Sequence, residues 1–133
     1  MNPEFIVFDT TKSLYKFLAA TGVLDKLDMF ANTPVDTIPN DNIGYVITEG
    51  DGICGAASLY DEGNGVFLNE LFEIVPEYRS KGYARALYEF MKKDSMADKI
   101  HGFCTNDETQ SFWEHMGQRC INPKIREMME IIN

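Results

Sequence analysis

Apolar residues recur with two different spacings along the first third of the chain. Residues 5–8 form a short apolar run of the kind that makes a buried strand. Apolar positions within 14–18 then follow at helical spacing, and those within 23–30 indicate a second short helix. The stretch 32–42 is rich in Pro, Asn and Asp, which predicts a surface loop.

The middle of the chain changes to the pattern of an antiparallel sheet. Three β-rich segments, at 44–48, 53–60 and 66–75, are separated by short stretches of Gly, Asp, Asn and Glu. Glycine next to Asp or Asn at such positions is typical of tight hairpin turns. We therefore predict a meander of three antiparallel strands.

Helical spacing returns after Pro76. Apolar residues within 84–91 share one face of a predicted helix, residues 100–104 make a further short strand, and another helix follows up to Gly117. A strand, a crossover helix and another strand imply a parallel pair, so we expect a mixed, mostly antiparallel sheet. The tail at 125–132 fits either a helical stripe or a strand at the sheet edge.

Length and composition place these elements in one folded unit. The chain has 133 residues, of which 44% are hydrophobic and 12% aromatic, so it can bury a core and is not disordered. We expect a single domain over residues 1–133, of the α/β (α+β) class. No apolar run approaches the ~18 residues of a membrane span, and the N-terminus lacks the basic start of a secretory signal, so no membrane partner is expected.

Charge and cysteine content narrow the expected partners. The net charge is −9, from 12 basic and 21 acidic side chains, which argues against a nucleic acid partner because such binding depends on Lys and Arg. The three cysteines and two histidines show no metal-ligand spacing, so no metal site is expected. An odd number of widely spaced cysteines is typical of reduced thiols, and we expect a cytoplasmic protein.

The segment 75–87 carries the clearest chemistry. A strand ends at a proline, a polar turn follows, and a helix opens at Gly82. The unpaired N–H groups of a helix N-terminus favour anions, and glycine lets a ligand approach the backbone closely. Arg79, Lys81 and Arg85 add positive charge. The functional interpretation is a phosphate-bearing ligand, and the structural alternative is an ordinary strand-to-helix turn with solvated basic residues.

Two blocks of sequence resemble the GCN5-related N-acetyltransferase (GNAT) superfamily. Residues 74–84 are similar to its acetyl-coenzyme A signature, Arg/Gln-x-x-Gly-x-Gly/Ala, which Arg79, Gly82 and Ala84 meet. Residues 111–117 resemble its Phe-Tyr-Glu-Lys-x-Gly run. The order of predicted elements also matches along most of the chain.

The resemblance implies a fold, a reaction and a set of site residues. The fold would be that of acyl-CoA N-acyltransferases, with a splayed pair of central strands in the sheet and helices flanking it. The reaction would be acetyl transfer from acetyl-coenzyme A (acetyl-CoA) to an amine, on a small molecule or a protein, by direct nucleophilic attack; a homodimer is a further expectation. The residues that the resemblance assigns to the cofactor are Ile74, Val75, Pro76, Arg79, Ser80, Lys81, Gly82, Tyr83, Ala84 and Asn106.

One position departs from the family in a way that bears on catalysis. The family often has a tyrosine where this chain has Trp113, and that hydroxyl protonates the departing thiolate. An indole N–H can donate a hydrogen bond but is no practical acid at neutral pH. Either the thiolate leaves stabilised by donors, or Tyr83 or Tyr88 contributes, or the activity is weak. Trp113 itself acts at the leaving group or only packs its helix.

A general base is the other expected catalytic group. An alkyl amine has a pKa of about 10.4, so its neutral form costs roughly 4–5 kcal/mol at pH 7. Glu70 lies on the strand that leads to the cofactor turn, and by strict alternation it shares a face with Phe72 and Ile74. Apolar neighbours would desolvate its carboxylate, which suits a base. We expect Glu70 to be the base or to anchor a cationic substrate, against the alternative of a solvated carboxylate; Glu73 and Glu49 are lesser candidates.

A second class of function stays open at this point. A non-catalytic acidic module with an acetyltransferase-like fold could bind a partner or sense acetyl-CoA without turnover. Trp113 and the negative charge favour this alternative, whereas the intact signature at 74–84 favours cofactor binding.

Overall fold

The computed structural model describes all 133 residues, and strands and α-helices account for most of them. The strands are β1 (Glu4–Phe8), β2 (Ile43–Glu49), β3 (Gly52–Gly63), β4 (Val66–Ile74), β5 (Lys99–Phe103), β6 (Arg119–Asn122) and β7 (Glu127–Ile131). The helices are α1 (Thr11–Ala20), α2 (Asp28–Ala31), α3 (Tyr83–Ser95) and α4 (Asp107–His115). Short 3-10 turns lie at Leu24–Lys26, Val35–Thr37 and Pro76–Tyr78.

All strands form one mixed sheet in the order β1-β2-β3-β4-β5-β7-β6. Every neighbouring pair is antiparallel except β4 and β5, which are parallel and connected through α3. The predicted meander is β2, β3 and β4, and the predicted fold class is confirmed. The tail, which the sequence left open between helix and strand, forms β6 and β7 because β7 pairs with the free edge of β5.

The parallel strands β4 and β5 pair at one end only. Residues Val66–Leu68 of β4 pair with Lys99–His101 of β5. Beyond these residues, β4 continues to Ile74 and β5 to Phe103, and the two strands no longer pair with each other. A V-shaped gap therefore opens between them, which is the splayed pair that the resemblance implied. Along this gap the backbone of β4 keeps polar groups that no neighbouring strand pairs, as at the edge of a sheet.

A β-bulge interrupts β4 in the middle of its length. Leu59 of β3 pairs with Asn69, and Ser58 pairs with Leu71, so Glu70 is an extra residue without a register partner. The bulge lies two residues past Leu68, the last residue of β4 that pairs with β5.

This bulge changes the direction in which the β4 side chains point. Phe67 and Phe72 both pack in the core beneath α3, although residues five apart face opposite ways in a regular strand. Counting from Phe67, Glu70 lies on the other face, where Leu71 packs beneath α1 and α2. The predicted shared face of Glu70 with Phe72 and Ile74 is wrong, because strict alternation does not hold through a bulge.

The sheet separates two hydrophobic cores. One lies beneath α3 and includes Leu87 and Met91, and the other lies beneath α1 and α2 and includes Leu14 and Phe30. Helices α1 and α2 thus cover one face of the sheet and α3 covers the other. The ends of the strands and the gap are left to carry polar chemistry.

The predicted helix over residues 23–30 is split in two. Leu27 has extended backbone angles, φ −114° and ψ 91°, which separate the turn Leu24–Lys26 from α2. Leu27 and Phe30 are both fully buried, so their spacing reflects packing on the sheet rather than one continuous helix. None of the helices is both long and apolar enough to cross a membrane.

Candidate functional site

The chain leaves β4 through a short turn with left-handed backbone conformations. After the turn Pro76–Tyr78, Ser80 and Gly82 have φ angles of +63° and +90°. Such angles are ordinary for glycine and strained for serine. Left-handed residues in a loop orient neighbouring N–H groups into a concave nest, which is an arrangement that binds anions.

Consecutive backbone N–H groups at this turn have no acceptor in the protein. Those of residues Ser80 to Arg85 donate to no carbonyl or side chain, and the next bond runs from the Ala86 N–H to the Gly82 carbonyl at 3.1 Å. Gly82 is the N-cap of α3 and has no side chain to satisfy them. The positive end of the helix dipole adds to their field. We call the N–H groups of residues 80–85 the cradle; its chemistry suits a diphosphate.

Three basic side chains brace the cradle. Arg79 Nε donates to the last carbonyl of β4 at 3.0 Å, and Lys81 Nζ donates to a carbonyl of the preceding turn at 3.1 Å. Arg85 Nη2 donates to the last carbonyl of α4 at 2.6 Å. Lys81 and Arg85 are each bonded to a neutral carbonyl, so their positive charge stays available beside the cradle, whereas Arg79 also lies 3.8 Å from the carboxylate of Glu73.

The residues that the resemblance assigned to the cofactor lie along one path, except for Asn106. Ile74 and Val75 are buried at the end of β4, and Pro76 begins the turn. Ala84, in the first turn of α3, packs partly against the core beneath that helix. Their backbone therefore runs from the open edge of β4 directly into the cradle.

Asn106 begins α4 as its N-cap. Its Oδ1 accepts the Thr109 N–H at 2.9 Å, and the Thr109 hydroxyl in turn accepts the Asn106 N–H at 3.4 Å, which is a capping box. The side-chain oxygen of Asn106 is therefore bonded to the backbone of α4. The Nδ2 of Asn106 donates to no protein group.

Trp113 is packed into an aromatic cluster. Its ring contacts Phe72 at 4.9 Å and Tyr88 at 5.3 Å between centroids, both edge to face, and Phe112 at 5.2 Å. The indole N–H has no hydrogen-bond partner in the protein. This ring joins α4 to β4 and α3, so packing is the role that the geometry supports.

Both tyrosines considered as a replacement acid have other partners. The Tyr83 hydroxyl donates to Glu49 at 3.2 Å, and burial and this carboxylate raise the pKa of Tyr83. Tyr88 is fully buried; its hydroxyl donates to Glu130 at 2.8 Å and accepts from Gln118 at 3.1 Å, and burial raises its pKa. These bonds remove the support for either hydroxyl as the acid.

The two carboxylates of β4 have different surroundings. Glu70 is half-buried at the bulge and forms no hydrogen bond or ion pair with the protein. Glu73 is only 8% exposed; it accepts the Met29 N–H at 2.9 Å and lies 3.8 Å from Arg79 Nη2. Burial raises the pKa of Glu73, although backbone amides of α2 lower it. Glu73 therefore holds the start of α2, whereas the carboxylate of Glu70 is unengaged.

A histidine that shows no partner in the sequence is held between two carboxylates. His101 Nδ1 lies 2.9 Å from Glu127 Oε2, and Nε2 is hydrogen-bonded to Glu62. These partners are 26 and 39 residues away along the chain. No local signal could have found this cluster, because three different strands bring its members together. No group of three His, Cys, Asp or Glu side chains is placed to hold a metal ion.

A comparison with protein families gives a match that includes the cradle. The family described as an acetyltransferase (GNAT) domain matches residues 40–117, from just before β2 to the end of α4. No curated protein gives a significant match to the sequence.

Solved structures share the fold at low sequence identity. The ribosomal-protein-S18-alanine N-acetyltransferase from Escherichia coli superposes with a TM-score of 0.69 at 13% identity, over 99% of this chain and 95% of its own. For the IAA acetyltransferase from Bacillus cereus the TM-score is 0.68 at 12% identity, over 98% and 100%. The N-acetylglutamate synthase from Neisseria gonorrhoeae, complexed with coenzyme A and N-acetyl-glutamate, has a TM-score of 0.62 at 9% identity. The match covers 100% of this chain and 36% of the synthase chain. At these identities the likeness concerns the fold alone.

Proposed function

Because the chain belongs to the acetyltransferase (GNAT) domain family, we propose that it is an N-acetyltransferase that uses acetyl-CoA and acts on an amine. Acetyl-CoA, when bound, supplies an activated acyl group on a thioester that the amine attacks directly. The chain's own residues would then have three tasks, which are to hold the cofactor, to remove a proton from the amine and to stabilise the charge that develops.

The observation that carries this proposal is the cradle, which begins where a strand has parted from its neighbour. Its N–H groups lack protein acceptors and therefore suit the oxygens of a diphosphate. A Cβ atom built at Gly82 would meet only the side chain of Met1, at 3.7 Å, so the backbone there is open to a ligand.

The open edge of β4 supports the same proposal. Beyond Leu68 this strand has no partner on the side of the gap, so alternate N–H and C=O groups can bond an extended chain that contains amides. The pantetheine part of coenzyme A has this chemistry. The strand leads directly into the cradle, so one ligand could engage both.

We propose Glu70 as the group that takes the proton of the amine or anchors its cationic form. Its carboxylate is unengaged and lies at the bulge beside the gap. In a Glu70→Gln variant, kcat/KM at neutral pH should fall about 10²-fold, while the Kd of acetyl-CoA stays unchanged. Full turnover at neutral pH in this variant would remove the role.

A cationic amine is the acceptor class that we propose, on a small molecule or on a protein. The net charge of −9 supports attraction of a cation and speaks against a nucleic acid partner. The E. coli neighbour, by its name, acts on the alanine of a ribosomal protein, which is one kind of protein amine. A cytoplasmic location and a homodimer stay predictions.

Trp113 favours a second candidate, a module that binds acetyl-CoA or a partner without turnover. Its packed ring supplies no hydroxyl for the leaving thiolate. Titration calorimetry with acetyl-CoA, followed by thiol release across a panel of diamines, aminoglycosides and peptide N-termini, separates the two candidates. We expect binding and amine-dependent thiol release. Binding without release for any amine would favour the module, and no binding would contradict both candidates.

A further inference from the structure

The side-chain amide of Asn69 forms no hydrogen bond with the protein, although it lies beside the gap between β4 and β5. The Oδ1 atom of Asn69 is buried and has no partner, and the Nδ2 atom donates to no protein group. Most buried side-chain polar atoms in proteins have a partner, so an exception of this kind calls for an explanation. Because an unpartnered buried oxygen destabilises the fold, a use in binding is a physical reason to keep it.

Asn69 lies at the apex of the gap between β4 and β5. Leu68 is the last residue of β4 that pairs with β5, at His101, and the bulge at Glu70 follows directly. On the β5 side stands Gly102, where a built Cβ would lie 3.6 Å from the Cβ of Asn69. Because Gly102 has no side chain, β5 places no side chain against Asn69 at this position.

The Asn69 side chain points to the side of the sheet that carries α3 and α4. It is two residues from Phe67, which packs beneath α3, and residues two apart on a strand share a face. Trp113 packs against Phe72 on this same side. The unpartnered amide therefore shares a side of the sheet with the position at which the chain lacks a tyrosine hydroxyl.

Building on the proposed function, we propose that Asn69 is a catalytic residue whose carboxamide binds the acyl group of acetyl-CoA at the apex of the gap. A carboxamide has two N–H donors and one acceptor, and its two ends have nearly the same shape. Rotation by about 180° about the last torsion therefore puts Nδ2 in the buried position that Oδ1 occupies without a partner. The Nδ2–H donates to the carbonyl oxygen of the thioester and stabilises the negative charge that grows there during attack. The amine nitrogen forms the C–N bond, the C–S bond breaks, and coenzyme A leaves as the thiolate. The amide transfers no proton; the proton of the amine leaves through Glu70 or solvent.

An Asn69→Leu variant separates this role from a structural one. Leucine has a similar shape and removes the unpartnered polar group, so Tm should rise by about 2–5 °C. The Kd of acetyl-CoA should increase about 5- to 10-fold, whereas the Kd of coenzyme A, which lacks the acyl group, should not change. For an amine that the enzyme accepts, kcat should fall about 10²-fold.

Asn42 provides the matched control. Its Oδ1 is also buried and unpartnered, but its Nδ2 donates to Ser58 at 3.0 Å. An Asn42→Leu variant should therefore lower Tm, because a made hydrogen bond is lost, and leave the ratio of the two Kd values as in the wild type.

The possible failures can be told apart. A wild-type protein that binds neither acetyl-CoA nor coenzyme A contradicts the proposed function. A wild type that binds both, with an Asn69→Leu variant that weakens both equally or neither, overturns only the role of Asn69. If that variant does not fold, NMR of the ¹⁵N-labelled wild type tests the role instead, through the side-chain NH2 resonances of Asn69 during titration with each ligand. Acetyl-CoA should shift them and coenzyme A should not; any other response overturns the role.

Discussion

At the scale of single residues, backbone groups define the proposed cofactor site more than side chains do. Arg79 and Lys81 each donate a hydrogen bond to a neighbouring backbone carbonyl and so stabilise the turn. The groups that no protein atom uses are the N–H groups of the cradle. Gly82 matters there because its φ of +90° is readily available only to glycine and because it leaves the backbone exposed.

A pair of glycines with nearly the same backbone tests this interpretation. Gly82 and Gly63 have φ angles of +90° and +89°, and a Cβ at Gly63 would meet nothing within 4 Å. Valine is strained at both positions, so Gly82→Val and Gly63→Val should lower the free energy of unfolding alike, by about 1–3 kcal/mol. Only Gly82→Val places a side chain in the cradle, so only this variant should weaken acetyl-CoA binding more than tenfold in calorimetry. Equal loss of affinity in both would attribute the effect to strain.

The buried carboxyl of Glu73 should make the free energy of unfolding depend on pH. It is almost fully buried and bonded to α2, and burial raises its pKa despite the amides that lower it. A folded state that keeps its proton to higher pH binds more protons than the unfolded chain above about pH 4.3. The contribution of this group to stability therefore falls as pH rises from that value through the raised pKa of the folded state.

A Glu73→Gln variant should remove this slope. The difference in unfolding free energy between wild type and variant should be most favourable to the wild type near pH 4 and shrink as pH rises, then level off. Urea denaturation at several values between pH 4 and pH 8 measures it, and titration of other groups cancels in the difference. A difference that grows with pH would mean that the amides of α2 outweigh burial.

At the scale of elements, one aromatic ring of α4, that of Trp113, contacts both β4 and α3. Trp113 packs edge to face against Phe72 of β4 and Tyr88 of α3, and α4 itself has no fully buried residue. The helix is fixed at its start by the capping box of Asn106. A residue at the expected leaving-group position therefore also sets where the helix lies.

Two substitutions of Trp113 distinguish packing from chemistry. Trp113→Phe keeps an aromatic ring, so stability and kcat should stay close to those of the wild type. Trp113→Ala should lower the free energy of unfolding by about 2–4 kcal/mol, because the ring contacts with β4 and α3 are lost. Denaturation and thiol-release assays on both variants provide the measurement. A large loss of kcat in Trp113→Phe at unchanged stability would assign catalysis to the indole N–H.

At the scale of the whole molecule, the end of the gap is closed by groups from three strands. His101 of β5 separates Glu62 of β3 from Glu127 of β7, and it lies at the last paired position of β4 and β5. This cluster links the meander to the C-terminal hairpin at the point from which the gap opens.

Substitutions in this cluster should lower stability in a non-additive way. His101→Phe leaves Glu62 and Glu127 facing each other without a donor, and the free energy of unfolding should fall by about 1–3 kcal/mol. Adding Glu62→Gln removes one of the two carboxylates and should recover part of that loss, because the residues interact directly. Chemical denaturation of the single and double variants measures the coupling. Strictly additive effects would mean that the three groups act independently.

Much of the fold and of the cofactor site follows from local sequence. The hairpin turns and the turn at Gly82 depend on residues close together in the chain, and each was predicted where the structure has it. The single helix expected over 23–30 was wrong because apolar spacing there reflects contact with the sheet. The tail was undecided because its strands form only against β5.

The sequence by itself determined the three-stranded meander, the parallel pair that follows it and the glycine turn that opens α3, since backbone conformation and capping are governed by neighbouring residues. Only the tertiary structure decided the direction of Glu70, the partners of His101 and the unpartnered state of Asn69. The physical reason is that a bulge depends on the register with another strand. Likewise, the hydrogen bonding of a buried polar atom depends on whatever packs against it, however distant along the chain.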